Sequence, residues 1–308
     1  MDYSVIVPIL NERENIRELH RQILETMRGL EKPFEILFVD DGSTDGSFDV
    51  MQELAPLTII RMRKSFGQTA AFDAGIRNAH GEVLITLDGD LQNPPSEIPK
   101  LLHELEKGFD AVCGWRKNRQ DPPVKKFISE GAKFLRKFLV SDGVHDAGCS
   151  LRVYRRECFH NMQLLGEMHR FIPAILRWNG FRITEISVEH HPRLHGTSKY
   201  NYKRIPKGFL DMITVWFWRK YATRPLHLFG GLGLLLLGSG FLLGIALGIL
   251  RAYERISLGQ SNLPLFTALL ILVGTQFLIT GILSDILIRM YYKSDRSDYS
   301  IQSIHTRE

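Results

Sequence analysis

The sequence predicts an α/β fold in which helices cover a mostly parallel sheet, followed by two membrane-spanning helices. Short, apolar, β-branched runs alternate with amphipathic stretches over the first 115 residues. This alternation is typical of strands that are buried on both faces between covering helices. Further along, residues 228–250 and 256–284 contain no charged side chain. Each of these segments exceeds the roughly 20 apolar residues needed to cross a bilayer.

The strands and helices of the first part are predicted from its apolar pattern. The predicted strands are residues 3–8, 34–39, 57–61, 83–87 and 110–114. One amphipathic helix presents Ile16, Leu19, Ile23, Met27 and Leu30 on one face. Another presents Ile98, Leu101, Leu102 and Leu105 after a start at Pro94, Pro95 and Ser96. Polar clusters follow the first, second and fourth strands, where a parallel sheet binds its ligands.

Composition limits the class of protein but does not choose a function. The chain has 308 residues, a formal charge of +5 and a pI near 9.1. Such a balance fits binding to phosphates, nucleic acid or an anionic membrane surface. Cys113, Cys149 and Cys158 have neither an even count nor metal-ligand spacing, which indicates reduced cysteines inside the cell. The N-terminus resembles a strand and not a signal peptide, so we expect that the globular part is not exported.

The apolar and basic patterns predict four parts of the chain. Residues 1–200 are expected to form the globular domain, and 201–225 a juxtamembrane amphipathic helix. A transmembrane hairpin is predicted at 226–290, with a tail at 291–308. Within the domain, the basic amphipathic stretch 124–139 either lies in the membrane interface or packs on the core like an ordinary helix.

The distribution of Lys and Arg predicts the orientation in the membrane. Residues 193–224 hold eight basic side chains, the loop between the spans holds two, and the tail from 289 holds four. Basic residues favour the cytoplasmic side, so the domain and both termini are expected in the cytoplasm. A buried hairpin of a soluble protein is the alternative interpretation of the two apolar segments.

The strongest local chemical signal is TLDGDLQNPP at residues 86–95. It places Asp88 and Asp90 one residue apart at the end of a buried strand. Carboxylates in this arrangement can share a divalent cation such as Mg²⁺, which then bridges to a diphosphate. Asp-x-Asp triplets also occur in ordinary turns. The apolar strand before the triplet and the proline-opened helix after it make the signal more specific.

The second cluster, VDDGSTDGS at residues 39–47, follows another buried strand. Asp40 and Asp41 are placed to accept hydrogen bonds from a base or a ribose. The alternative is a turn and helix cap, a role that suits Ser43, Thr44 and Asp45.

Two weaker clusters complete the pattern. Pro8, Asn11 and Glu12 follow the first strand, where Asn11 could instead cap the next helix. The string FGQTAAFDAG spaces Gly67, Ala71 and Gly75 four residues apart. Small side chains at that spacing let a helix pack closely on a sheet, so this string indicates structure first.

Taken in order, VPxxNExxN, VDDGSTD, FGQxAAxxAG and DGDLQxPP resemble family 2 glycosyltransferases with the GT-A (Rossmann-like) fold. Within that family the chain resembles polyprenyl-phosphate sugar synthases, and the match covers nearly the whole soluble part. The paired C-terminal spans match the members that carry membrane anchors. The resemblance implies a nucleotide diphosphate sugar, with UDP or GDP, as donor. It implies a polyprenyl phosphate acceptor and Mg²⁺ or Mn²⁺ as cofactor.

The resemblance also implies roles for individual residues. It implies that Asp40 lies near the base, in a donor site that also includes Pro8, Asn11, Glu12, Asp41 and Gly67. Around the metal and diphosphate it implies Asp88, Asp90 and Gln92. It places Arg116 on phosphate and Asp146, in DAGCSLRVYRRE, on the acceptor side. The string HHPRLHGTSKY resembles a loop that closes over the diphosphate with Arg193, Ser198 and Lys199.

The chain departs from parts of the family pattern. Glu130 stands where some mannose synthases carry Arg, which weakens transfer of acceptor-phosphate contacts to that helix. Processive polysaccharide synthases carry Q-x-x-R-W, whereas this chain has Ala174 in place of the Gln, before Arg177 and Trp178. Alternatives are transfer to a saccharide hydroxyl and nucleotide-sugar binding without catalysis. Two amphipathic helices and two spans leave a homo-oligomer open.

Nucleic acid is not an expected partner, because the basic residues gather beside the spans, and neither a P-loop nor G-x-G-x-x-G occurs. The expected reaction is a single in-line displacement with inversion. A phosphate monoester has a second pKa of about 6, so a phosphate acceptor is already largely anionic near neutrality. Asp146 is therefore expected to orient the acceptor, take a residual proton or help the metal.

Overall fold

The structure, a computed structural model, describes residues 1–117, 143–160, 162, 164, 166, 168–192, 213–214, 216–217, 220–221, 224–253, 261–291 and 301–307. The chain forms two compact units. The first combines Met1–Val215 with Ser297–Glu308, and the second is Trp216–Arg296. The predicted interfacial stretch 124–139 and most of 201–225 lie outside the described residues.

The first unit is built on an eight-stranded sheet in the order β7-β5-β6-β4-β1-β2-β3-β8. Its strands are β1 (Tyr3–Ile9), β2 (Phe34–Asp40), β3 (Leu57–Met62), β4 (Val83–Thr86), β5 (Ala111–Trp115), β6 (Arg152–Arg155), β7 (Ile183–Ser187) and β8 (Ile301–Arg307). Strands β4, β1, β2 and β3 are parallel to one another, as are β5 and β7. The antiparallel pairings belong to β6 and β8. The five predicted strands form within one residue of their expected ends, whereas β6, β7 and β8 were not predicted.

Helices cover both faces of the sheet and bury two core layers. They are α1 (Ile16–Arg28), α2 (Ser47–Gln52), α3 (Gln68–Asn78), α4 (Ile98–Glu106) and α5 (Ile172–Trp178). Val5 and Val7 of β1 share one core layer with α1 and α4, and Ile6 shares the other with α3 and α5. The predicted apolar faces of α1 and α4 are buried, although Leu30 lies beyond the end of α1. The described part of the unit also contains three-residue 3-10 turns at Pro95–Glu97 and Met168–Arg170 and one at Arg156–Phe159.

Helix α3 approaches the sheet closely at Gly75. A Cβ there would overlap Cγ2 of Ile6 and lie 3.1 Å from Cγ2 of Val39. The close packing expected from the small residues is therefore present at Gly75, and Ala71 is fully buried. Gly67 departs from the expectation because it precedes the helix, with a φ of 96°.

The second unit contains two long apolar helices, α6 (Pro225–Ala252) and α7 (Leu263–Tyr291). Only 17% of the most apolar window of each helix is buried, whereas the core helix of a soluble protein would be mostly buried. The two helices pack through small residues, since a Cβ on Gly274 would lie 2.7 Å from the backbone nitrogen of Leu237. Close backbone contact at small residues is typical of helix pairs in membranes. The long exposed apolar surface favours membrane spans over a soluble hairpin.

Replacing Gly75 with Ala is expected to destabilise the first unit by about 1–3 kcal/mol, because the new methyl group overpacks the contact with β1. The midpoint of thermal unfolding in detergent measures the effect. Gly29→Ala is the matched control, because a Cβ there meets backbone oxygens only at 3.4 Å or more, the distance of ordinary contact. Equal midpoints for both variants would contradict the close approach of α3 to β1.

Candidate active site

The polar clusters that follow β1, β2 and β4 meet at one edge of the sheet. Parallel pairing sets Ile9 opposite Asp40 and Ile6 opposite Thr86. The backbone continues this register, since Asp41 N–H donates to the Ile9 carbonyl at 2.8 Å. The expectation that these clusters share the carboxyl edge of the sheet is therefore confirmed.

The turn after β4 that carries Asp88 and Asp90 has a backbone conformation that few residue types can adopt. A Cβ on Gly89 would lie 2.8 Å from Cδ1 of Ile9 and 3.3 Å from the Pro8 carbonyl oxygen. Leu91 has a φ of 59°, which is rare for a side chain of its size. Backbone strain of this kind concentrates at functional sites. The turn thus brings two carboxylates against the first strand at a conformational cost.

The two carboxylates of this turn repel each other. Burial, and then the charge of Asp90, raise the pKa of Asp88 to about 6. Gln68 Nε2 donates a hydrogen bond to Asp88 Oδ1 at 2.7 Å, and Gln92 N–H donates to Asp90 Oδ1 at 3.2 Å. A divalent cation between the carboxylates would remove the repulsion.

The donor set at this turn suits a hard cation that also binds a substrate. Carboxylate and amide oxygens, such as those of Asp88, Asp90 and Gln92, are typical ligands of Mg²⁺ and Mn²⁺. Among the described residues, no group of three or more His, Cys, Asp or Glu side chains could hold a metal ion. Two carboxylates leave most of the coordination sphere to water and to substrate oxygens, as is usual for Mg²⁺.

Asp40 is fully buried at the end of β2 and is only partly satisfied. Its Oδ1 accepts the Ser43 N–H at 2.8 Å, but its Oδ2 has no hydrogen-bond partner. Arg61 Nε lies 3.8 Å from Oδ2, beyond hydrogen-bond length. Burial is the main reason that the pKa of Asp40 is raised. A buried carboxylate oxygen without a donor is costly and is suited to a ligand N–H.

Asp41, the neighbour of Asp40, is already satisfied by hydrogen bonds from the loop between β3 and α3. Its two oxygens accept hydrogen bonds from Phe66 N–H at 2.7 Å, Ser65 Oγ at 2.8 Å and Gly67 N–H at 3.0 Å. These bonds fix the loop that leads into α3. Asp41 therefore joins the loop after β2 to the loop after β3, beside Gly67, which is a structural role but neither a local turn nor a helix cap.

Asn11 links the loop after β1 to the loop after β2. Its side-chain oxygen accepts the Thr44 N–H at 2.8 Å, and its own N–H donates to Ser43 Oγ at 3.0 Å. Its φ of 53° lies in the left-handed region, which Asn tolerates. Asn15, and not Asn11, immediately precedes α1. Pro8, near the end of β1, is paired with Val39 of β2, and the Glu12 N–H in the loop after β1 donates to Ser47 Oγ at 3.1 Å. Both residues therefore lie next to the end of β2 that carries Asp40.

Arg116 and Asp146 pair with each other. Arg116 Nε lies 2.7 Å from Asp146 Oδ2 and Nη2 lies 3.0 Å from Oδ1, which is a bidentate bridge. Burial opposes ionisation of Asp146, but the hydrogen bonds and charge of Arg116 outweigh it and hold its pKa below the usual value. Asp146 is therefore ionised near neutral pH, and its carboxylate is bound by Arg116.

Two charged residues that sequence reasoning missed hold the loop around Asp146. Glu185 of β7 accepts the N–H groups of His145 at 2.8 Å and Asp146 at 3.2 Å. From the other side, buried Arg152 donates to the Ala147 carbonyl at 2.6 Å. In the sequence, the one indication of a buried, functionally placed Arg152 is that a charged residue stands among the apolar residues of the string SLRVY. The remaining predicted residues, Arg193, Ser198 and Lys199, lie outside the described residues.

Comparison with known sequences identifies one family. The model of glycosyl transferase family 2 matches residues 4–162. A dodecaprenyl-phosphate galacturonate synthase from Rhizobium johnstonii is 38% identical, over 99% of this chain and 93% of its own length. An undecaprenyl-phosphate 4-deoxy-4-formamido-L-arabinose transferase from Pseudomonas fluorescens is 36% identical, over 94% and 85%. The same transferase from Proteus mirabilis is 34% identical, over 98% and 93%.

Comparison with solved structures supports the fold. Glucosyl-3-phosphoglycerate synthase from Mycobacterium tuberculosis, in complex with Mn²⁺ and uridine-diphosphate-glucose, superposes with a TM-score of 0.55. The identity is 17%, and the match covers 71% of this chain and 78% of that chain. A complex of the same enzyme with phosphoglyceric acid gives a TM-score of 0.56 at 17% identity, over 71% and 79%. The predicted GT-A architecture is confirmed.

The raised pKa of Asp88 predicts how pH controls cation binding. Protonation competes with the cation for this carboxylate, so Mn²⁺ should stabilise the protein at pH 7.5 and much less at pH 5. The sign follows from comparing the two states: because the pKa of Asp88 is raised in the folded protein, stability falls as the pH rises from the ordinary carboxyl range to about 6, and a bound cation offsets that loss.

Thermal unfolding with and without Mn²⁺ at the two pH values measures this difference. Asp88→Asn is expected to remove most of the Mn²⁺ effect at pH 7.5. The exposed Asp49→Asn on α2 serves as a matched control and should keep it. An equal Mn²⁺ effect at both pH values in the parent protein would contradict the assignment.

Proposed function

The chain belongs to glycosyl transferase family 2, and on that basis we propose that it moves a sugar from a nucleoside diphosphate to a polyprenyl phosphate at a membrane. One observation carries the proposal. Asp88 and Asp90 after β4 and Asp40 at the end of β2 lie at the same carboxyl edge of the sheet, on either side of β1, in a chain that also holds two helices apolar enough to span a membrane. The relatives named above are themselves polyprenyl-phosphate sugar transferases and match almost the entire chain.

Asp40 is proposed to bind the base of the donor. Its Oδ1 is occupied by Ser43, so one buried acceptor, Oδ2, remains for a ligand N–H. Arg61 lies beside that oxygen and supplies a donor. One acceptor next to one donor matches the N3–H and an adjacent carbonyl of uracil, and it equally matches the N1–H and the adjacent O6 carbonyl of guanine. Of these two bases we propose uracil, carried by a uridine diphosphate sugar, because the mycobacterial enzyme of the same fold was solved in complex with uridine-diphosphate-glucose.

Asp88, Asp90 and Gln92 are proposed to hold a divalent cation, Mg²⁺ or Mn²⁺. When bound, the cation would bridge to the diphosphate and stabilise the charge that develops on the leaving group. The described side chains hold these ligands in place: Gln68 donates to Asp88, and the backbone of Gln92 donates to Asp90.

Asp146 is proposed to orient Arg116 and not to act as a strong general base. The bidentate bridge fixes the guanidinium, and the low pKa of Asp146 makes it a poor proton acceptor near neutrality. Arg116 is then positioned to face phosphate. A phosphate acceptor needs little deprotonation, because its second pKa is about 6. These roles fit a single displacement with inversion, and Arg193, Ser198 and Lys199 are proposed to close over the diphosphate.

The membrane arrangement is proposed from the connectivity of the first unit. The chain leaves this unit before α6 and returns to the same sheet as β8 after α7. Both ends of the hairpin therefore lead to one folded body, which requires an even number of crossings. Together with the excess of Lys and Arg in residues 193–224, this supports a cytoplasmic domain with both termini on that side.

Asp90→Asn is expected to reduce metal-dependent transfer by at least about a hundredfold, because the variant loses a charged ligand of the cation. Purified protein in detergent is incubated with UDP- or GDP-sugars, polyprenyl phosphate and Mn²⁺ or Mg²⁺. Mass spectrometry then identifies the lipid product by its mass and measures its amount. Asp49→Asn should retain full activity and equal membrane insertion. Undiminished turnover by Asp90→Asn would refute the metal assignment, and lipid-free oligosaccharide would instead indicate a saccharide acceptor.

Single cysteines test the proposed topology. Ser261→Cys, in the connection between the spans, should react with a membrane-impermeant maleimide in intact cells. Thr306→Cys, on the exposed part of β8, should react only after permeabilisation. The parent protein gives the background, because its three cysteines are buried. Labelling of both positions from the same side would contradict a two-span hairpin.

A further inference from the structure

The segment that follows the apolar hairpin becomes the last strand of the sheet. Strand β8 runs antiparallel along the outer edge of β3, from Met62 opposite Ile301 to Leu57 opposite Arg307. Arg61, whose Nε lies 3.8 Å from Asp40 Oδ2, is paired with Ser303. The C-terminal strand thus borders the part of the site that carries Asp40.

A chain of three contacts joins β8 to the buried carboxylate of Asp40. The His305 ring packs edge-on against the Phe48 ring, with centroids 5.7 Å apart. The Arg61 guanidinium lies over the same Phe48 ring, 4.0 Å from its centroid. Arg61 Nε in turn lies 3.8 Å from Asp40 Oδ2.

The stacking contact matters because Asp40 alone does not fix Arg61. At 3.8 Å the two groups attract each other but form no hydrogen bond. The Arg61 side chain is also 36% exposed, so water competes with this attraction. A planar guanidinium keeps its orientation when it stacks on an aromatic ring. Phe48 belongs to the six-residue helix α2, and His305 packs against its ring.

We propose that β8 contributes to binding of the donor. Its His305 packs against Phe48, and Phe48 holds Arg61 in the orientation in which Arg61 and Asp40 bind the nucleobase. The proposal rests on the assignment of the base to Asp40 made above. Arg61 meets the base, whereas Phe48 and His305 are positioning residues that act through it. The strand that follows the apolar hairpin thereby also completes a subsite for a soluble ligand.

Variants at two neighbouring positions of β8 test this inference in the full chain. His305→Ala removes the aromatic contact, His305→Phe keeps it, and Thr306→Ala changes the next residue of the strand, which points to the opposite face. UDP binding with Mn²⁺ is measured by calorimetry, with GDP in parallel. Donor KM, acceptor KM, kcat and the unfolding midpoint are measured for each protein.

His305→Ala is expected to weaken UDP binding and raise donor KM about two- to fivefold, the range of an exposed ring–cation contact. Acceptor KM, kcat at saturating donor and the unfolding midpoint should stay near the parent values. His305→Phe and Thr306→Ala should match the parent throughout. Phe48→Leu should reproduce the loss by removing the ring from the other side of the contact.

Parent-like UDP binding by both His305→Ala and Phe48→Leu would overturn the inference. Equal losses in His305→Ala, His305→Phe and Thr306→Ala would also overturn it, because the strand would then serve only to complete the fold. A parent protein that bound neither UDP nor GDP would instead refute the proposed function. The two failures are therefore distinguishable.

Discussion

The concentration of carboxylates at one edge of the sheet is the constraint on which the site depends. Asp40 ends β2, Asp41 follows it, Asp88 and Asp90 follow β4, and Asp146 is bound to Arg116 just after β5. Like charges gathered in a partly buried site repel. The protein compensates each differently. Asp41 is saturated by hydrogen bonds, and Asp146 is paired with an arginine. The carboxylates after β4 keep their mutual repulsion, and Asp40 keeps one open oxygen. These are the positions where a ligand would be most stabilising.

The backbone at this edge explains why so few residue types fit there. Parallel register brings β4, β1 and β2 to the same level, and the chain must then leave each strand sharply. Asn11 and Leu91 adopt positive φ, and Gly42 at 75° would place a Cβ 2.7 Å from the backbone of Lys64. In the turn after β4, a Cβ on Gly89 would lie only 2.8 Å from Cδ1 of Ile9. Rigid strands thus bear the conformational cost of presenting carboxylates to a ligand.

Local signals made the first strands and the position of the site predictable, and their absence explains what was missed. Apolar runs define the first five strands because both faces are buried. The sequence of β7, ITEIS, is short and mixed, so it carries no clear period. The bridge between Arg116 and Asp146 joins residues 30 apart, and β8 pairs across the whole hairpin. Contacts of this range depend on the folded topology and leave no pattern in a local window.

The pairing of Asp146 also bears on the choice of acceptor. A sugar hydroxyl is a weak nucleophile that needs a base to remove its proton, and an efficient base has a pKa near the operating pH. Arg116 moves the pKa of Asp146 in the opposite direction. A phosphate monoester needs no such base, since it is largely ionised at neutral pH. What it does need is positive charge to hold it, and an arginine fixed by a carboxylate supplies that charge in a defined orientation. The arrangement at Asp146 therefore suits an anionic lipid phosphate better than a hydroxyl.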